Sequence, residues 1–118
     1  PISDAPAMTP AAEKIGLFLP EGLHEQMLHA AKRLNARKNP RGSVRWAYER
    51  AFAQLADTLD AGVPVTFPAT RGTKDRVSVR ISRRLCTRVR GHLETQNLKL
   101  TDFAFTAIDR FLIAAQGS

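Results

Sequence analysis

The sequence predicts an α+β fold, mainly helical, built as a two-stranded antiparallel ribbon lying on four helices. Three observations carry this expectation. Two short segments, "KIGLFLP" (14–20) and "RVSVRIS" (76–82), alternate apolar and polar residues as a half-buried strand does. Each is followed by two stretches whose apolar residues recur at helical spacing. The order strand, helix, helix therefore occurs twice in 118 residues, and the two copies align with one another.

In the first strand Ile15, Leu17 and Leu19 share one face, Lys14, Gly16 and Phe18 share the other, and Pro20 ends the run. From Glu21 to about Leu34 the residues Leu23, Met27, Ala30, Ala31 and Leu34 make a helical stripe. Asn, Pro and Gly in "NARKNPRG" (35–42) break that helix. A second helix opens near Ser43, carries Val44, Ala47, Tyr48, Ala51, Phe52, Leu55 and Leu59 on one side, and stops at Gly62. "VPVTFPATRGT" (63–73) has two prolines and no period, and reads as an extended connection.

The second copy begins with "DRVSVRIS" (75–82), which sets Val77, Val79 and Ile81 against Arg76, Ser78 and Arg80. A helix from Arg83 to about Gln96 buries Leu85, Val89 and Leu93, "NLK" breaks it, and Thr101 is the expected N-cap of a last helix. That helix has Phe103, Ala104, Ala107, Ile108, Phe111 and Leu112 on its stripe, with Phe105 beside it. An offset of 62 superposes Ile15, Leu17, Leu19 and Leu23 on Val77, Val79, Ile81 and Leu85. An offset of 56 superposes Val44, Tyr48, Ala51, Phe52 and Leu55 on Leu100, Ala104, Ala107, Ile108 and Phe111. The longer loop of the first copy accounts for the difference. One such unit cannot close a core, whereas two can, by pairing their strands over interlocked helices.

With 43% hydrophobic residues the chain supports one shared core rather than two. The expected organisation is a flexible linker end at 1–12, a first unit at 13–62, a linker at 63–73 and a second unit at 74–116. "PISDAPAMTPAA", opening without an initiator Met, reads as the cut end of a longer protein's linker. No apolar run is long enough for a membrane span and no secretory signal is visible, so a cytoplasmic location is expected. The single cysteine, Cys86, excludes an intramolecular disulfide and reads as a buried or idle thiol.

The net charge of +7 is unevenly spread. Residues 32–50 and 71–90 together hold 15 of the 18 Lys and Arg but only Glu49 and Asp75 of the acids, leaving the rest of the chain net negative. Such concentration predicts a basic face for a polyanion. A two-stranded ribbon fits the major groove of B-DNA, where Arg and Lys donate to guanine and Ser bonds several base edges. The expected base-reading residues are Arg76, Ser78 and Arg80 on one strand with Lys14, Gly16 and Phe18 on the other.

The order strand, helix, basic turn, helix, with "GSVRWAYERAF" and "LKLTDFAFTAIDRF" opening the second helices, resembles the ribbon-helix-helix family of DNA-binding proteins over about residues 13–115. Members are usually homodimers giving one strand each, so the resemblance implies a single-chain tandem ribbon-helix-helix, a pseudo-dimer working as a monomer. "EKIGLFL" and the "SV…ADTLDAG" helix are similar, more narrowly, to the DNA-binding domains of T-DNA overdrive-binding proteins, which implies a role in T-DNA or conjugative DNA transfer. The family sets the N-terminus of each second helix against a DNA phosphate. That implicates Ser43 and Val44 in one half and Lys99 to Thr101 in the other. Arg37, Lys38 and Arg41 of the inserted loop reach the same edge, and Arg83 and Arg84, unfavourable cations at a helix start, are explained by a phosphate partner. The first strand departs from the family's polar pattern at Gly16 and Phe18, so unlike half-sites, hence an asymmetric target, are expected.

Enzymatic activity is not expected. There is no phosphate-binding glycine loop, no paired carboxylates and no nucleophile set, and the only tyrosine, Tyr48, falls in the apolar stripe. His24, His29 and His92 lack metal-ligand spacing and read as surface or half-buried side chains, so no metal or cofactor is expected. Trp46, off the apolar stripe, is expected to pack under the inserted loop, with a partner surface as the alternative. The rival readings are a plasmid repressor or partition protein of the same fold, and a scaffold whose basic face binds an acidic protein. Other DNA-transfer or partition proteins are further expected partners.

Overall fold

The computed structural model describes residues 12–35 and 43–116. Six elements follow in order: β1 (Ala12–Pro20), α1 (Leu23–Asn35), α2 (Ser43–Asp60), β2 (Lys74–Ser82), α3 (Arg83–Gln96) and α4 (Leu100–Gln116). The fold is α+β and mostly helical, with one two-stranded antiparallel sheet. The expected linker at 1–12 lies, apart from Ala12, outside the described residues.

Alternation along the strands decides which face is covered. Leu17, Leu19, Val77, Val79 and Ile81 are buried, while Lys14, Gly16, Phe18, Arg76, Ser78 and Arg80 are exposed. The register pairs Lys14 with Arg80, Gly16 with Ser78 and Phe18 with Arg76. Beneath the ribbon, Tyr48, Phe52 and Phe103 run through the core in edge-to-face contacts with centroids 6.3 and 5.6 Å apart. Such pairs each contribute about 0.5–1.5 kcal/mol beyond area burial. Residues of all six elements belong to this one core.

Several boundaries differ from expectation for local reasons. β1 and β2 each start two residues early because the antiparallel ladder runs on from Pro20–Lys74 to Ala12–Ser82. α1 starts at Leu23 rather than Glu21, since Gly22 turns the chain with φ +85°, a conformation open to glycine. Thr101 is not the N-cap of α4. The Lys99 carbonyl accepts the Phe103 N–H at 3.1 Å, so Lys99 is the cap residue and Thr101 lies in the first turn. Leu34, at the end of the α1 stripe, is 40% exposed rather than buried.

Helix ends close as their sequences require. Gly62, with φ +79°, and Asn97, with φ 51°, are the left-handed residues that terminate α2 and α3. Each is followed by a residue whose N–H reaches five positions back, Val63 to Thr58 at 3.2 Å and Leu98 to Leu93 at 2.8 Å. The connection 63–73 is not merely extended: Phe67 stacks on Phe103 at 6.5 Å and Val65 also packs on the core. Among the described residues no helix is long and apolar enough to cross a membrane.

Candidate nucleic-acid interface

The outward face of the ribbon brings all six expected base-reading residues together. Arg80 stands beside Lys14, Ser78 beside Gly16, and Arg76 beside Phe18. Phe18 is 52% exposed on this face. A Cβ added at Gly16 would meet nothing within 4 Å, which leaves the centre of the ribbon bare except for the Ser78 hydroxyl. Among the described residues no acid pairs with Lys14, Arg76 or Arg80. Like charges opposite one another on a sheet face repel, so Lys14 and Arg80 side by side favour an external acceptor over each other.

The acids near the ribbon are used inward. Glu13 forms a two-pronged ion pair with Arg90 on α3, and the Arg90 guanidinium holds the Glu13 carboxyl below the usual carboxylate range. Asp75, which the 62-residue offset makes the counterpart of Glu13, accepts the Gly22 N–H at 3.3 Å. Arg88 bridges Asp57 at 2.8 Å and Asp60 at 2.6 Å, and His92 meets Asp60 at 2.8 Å. Hydrogen bonding to Arg88, with a smaller contribution from His92, lowers the Asp60 pKa. The basic window 71–90 is thus divided: Arg88 and Arg90 are paired with Asp57, Asp60 and Glu13, whereas Arg76, Arg80, Arg83 and Arg84 are exposed without an acid partner among the described residues.

Of the residues expected to meet phosphate, those that are described sit at the starts of three helices. Ser43 opens α2 and Val44 is half-buried against the core. Lys99 is exposed and Thr101 half-buried at the start of α4. Arg83 and Arg84 are exposed on the first turn of α3, where Ser82 caps the helix by accepting the Leu85 N–H at 3.2 Å. Arg37, Lys38 and Arg41 lie outside the described residues.

Two features escaped the sequence. Glu49 accepts the Ser82 backbone N–H at 2.7 Å, and a groove beside it is lined by Arg45, Trp46, Arg50, Arg84 and Arg88. Trp46 packs edge-on against Phe111 at 6.3 Å with the Arg50 guanidinium 5.9 Å from its centroid; the inserted loop expected to cover it lies outside the described residues. The histidines take modest roles: His24 shares a 2.6 Å hydrogen bond with the Tyr48 hydroxyl, and His29 is exposed. Cys86 is buried, and burial raises its thiol pKa. Among the described residues no cluster of His, Cys, Asp or Glu could hold a metal ion. In comparisons with known proteins, no family model, no curated protein and no solved structure matches the chain.

Proposed function

We propose that this chain binds double-stranded DNA by laying its ribbon in the major groove at an asymmetric site, as a single-chain tandem ribbon-helix-helix. The observation that carries the reading is the solvent face of the ribbon, where Lys14, Arg76 and Arg80 flank a bare centre with no acid partner among the described residues. The pseudo-dimer reading draws support from the register. The 62-residue offset makes Gly16 and Ser78 counterparts, and these two residues face each other across the ribbon. Counterparts meet only where a two-fold axis passes, so Gly16 and Ser78 mark a pseudo-dyad. On either side of it the pairs differ: Lys14 with Arg80, Phe18 with Arg76. Two unlike arms suit two unlike half-sites.

In this reading Arg76 and Arg80 donate to guanine, Lys14 to a base or phosphate, Ser78 adapts, and Phe18 meets a thymine methyl. Val44, Ser43, Lys99, Thr101, Arg83 and Arg84, with the inserted loop, contribute backbone contacts that add affinity and salt dependence but no sequence information. A role as an accessory factor in T-DNA or conjugative plasmid transfer rests on the resemblance of "EKIGLFL" and the "SV…ADTLDAG" helix.

A salt-series binding titration on a T-DNA border and overdrive duplex, against a scrambled duplex, tests the proposal. Wild type is expected to prefer the overdrive duplex, and Arg76→Ala/Arg80→Ala to bind it no better than the scrambled one, since each guanine contact supplies about 1–3 kcal/mol of discrimination. Equal binding to both duplexes by wild type contradicts sequence readout of the overdrive. No salt-dependent DNA binding at all contradicts the whole reading and favours an acidic protein partner.

A further inference from the structure

The arginines around the groove beside Ser82 are present on one side of the molecule only. The groove runs between α2 and the start of α3 and has a volume of about 430 Å³. Applying the 56-residue offset places Thr101 and Thr106 where the first half has Arg45 and Arg50, and Asp102 where it has Trp46. Applying the 62-residue offset places Gly22 and Gln26 where the second half has Arg84 and Arg88. One flank therefore carries four guanidinium groups around an indole, with the Glu49 carboxylate among them, and the other carries none of those cations and one carboxylate, Asp102.

Within the groove the four cations are not equivalent. Arg45 lies 3.4 Å from Glu49, and Arg88 is held by Asp57 and Asp60. Arg50 and Arg84 are exposed and have no acid partner among the described residues, with Arg50 resting by the Trp46 ring. The groove meets the ribbon at Ser82, which pairs with Ala12, two positions from the Lys14–Arg80 pair. The groove thus opens at the end of the ribbon that carries Lys14 and Arg80.

We infer that this groove grips the DNA sugar–phosphate backbone beyond the ribbon on one side only, the side of Lys14 and Arg80. The inference rests on the DNA-binding reading above. Planar guanidinium groups match phosphate oxygens in pairs, and a groove that opens at the ribbon's cationic end lies where the strand leaving the DNA groove would pass. The protein then contacts its DNA over unequal lengths on the two sides of the pseudo-dyad, which gives it an orientation along the duplex independent of base sequence.

The test compares wild type with Arg50→Ala/Arg84→Ala on a duplex recovered by wild type from a random library. Hydroxyl-radical footprinting is expected to show wild type protecting backbone further on one side of the dyad, and the variant losing protection on that side alone. In a salt series the slope of log affinity against log salt should shrink by about two, near 0.9 for each phosphate that the variant leaves unneutralised, with preference over a scrambled duplex unchanged. Both side chains are exposed, and a wild-type melting curve for the variant secures its fold. A symmetric wild-type footprint, or an unchanged salt slope in the variant, overturns the inference while ribbon-dependent selectivity leaves the DNA-binding reading standing. Failure of wild type to bind any duplex overturns both.

Discussion

Glu49 Oε2 lies 2.7 Å from the backbone nitrogen of Ser82 and so ties the second turn of α2 to the junction of β2 and α3. Ser82 in turn caps α3 through its hydroxyl. The two contacts satisfy two backbone donors at the turn where the helix leaves the ribbon. Glu49→Ala is expected to cost about 1.5–3 kcal/mol, the range for a hydrogen bond to a charged group. Thermal melting should register this as a drop of roughly 5 °C or more.

Tyr48 is fully buried, its hydroxyl is bonded to His24, and burial pushes its pKa far above the usual tyrosine value. The unfolded chain ionises this phenol near pH 10, whereas the folded chain keeps it neutral. A raised folded pKa means that the stability it represents is complete below about pH 10 and erodes as pH rises beyond it, by up to about 1.4 kcal/mol per unit. Tyr48→Phe should remove that component of the alkaline loss while costing about 1 kcal/mol at neutral pH. Denaturant melts of both proteins between neutral and alkaline pH check the difference. As the only tyrosine in the chain, Tyr48 also gives a direct absorbance signal.

Gly16 stands at the centre of the ribbon's open face, with room for a side chain and without a left-handed φ. Gly16→Val should therefore stabilise the fold by up to about 1 kcal/mol, since a β-branched residue suits a strand better than glycine does. The same isopropyl group would stand between the ribbon and the floor of a DNA groove. Binding to the preferred duplex is expected to fall at least tenfold while the melting temperature rises. A variant that melts higher and binds unchanged places the DNA elsewhere.

Phe18 exposes half its surface beside Arg76. If the ring served ribbon packing, Phe18→Ala would lower stability. On the DNA-reading account the substitution changes stability by no more than about 0.5 kcal/mol, as exposed positions do. It should also abolish a preference for thymine over uracil of about fourfold, the worth of one buried methyl. Titrations with uracil-substituted duplexes separate the two roles.

The ribbon was legible because alternation has a period of two and Val77, Val79 and Ile81 admit only one inward face. The helices were legible from their stripes, and the antiparallel pairing of the two strands from the lone apolar face each one carries. Interactions that depend on where helices cross had no such periodicity. Glu49 reaching Ser82, 33 residues away, and Phe67 stacking on Phe103 across the connection arise only once α2, β2 and α4 are packed. Arg88 and Arg90 read as further members of the basic window, yet Asp57, Asp60 and Glu13 claim them. At the start of α4 a threonine invites an N-cap reading, whereas the Phe103 hydrogen bond selects Lys99.

The central claim is that the ribbon enters the major groove and reads it with Arg76 and Arg80. Guanine-N7 methylation interference on the duplex that wild type prefers addresses this most directly, because N7 faces the major groove and is a favoured arginine acceptor. The account predicts that methylation at guanines on either side of the dyad blocks wild-type binding, and that Arg76→Ala and Arg80→Ala each remove the interference at one side alone. Binding that tolerates N7 methylation throughout, with the same pattern in both variants, would contradict it.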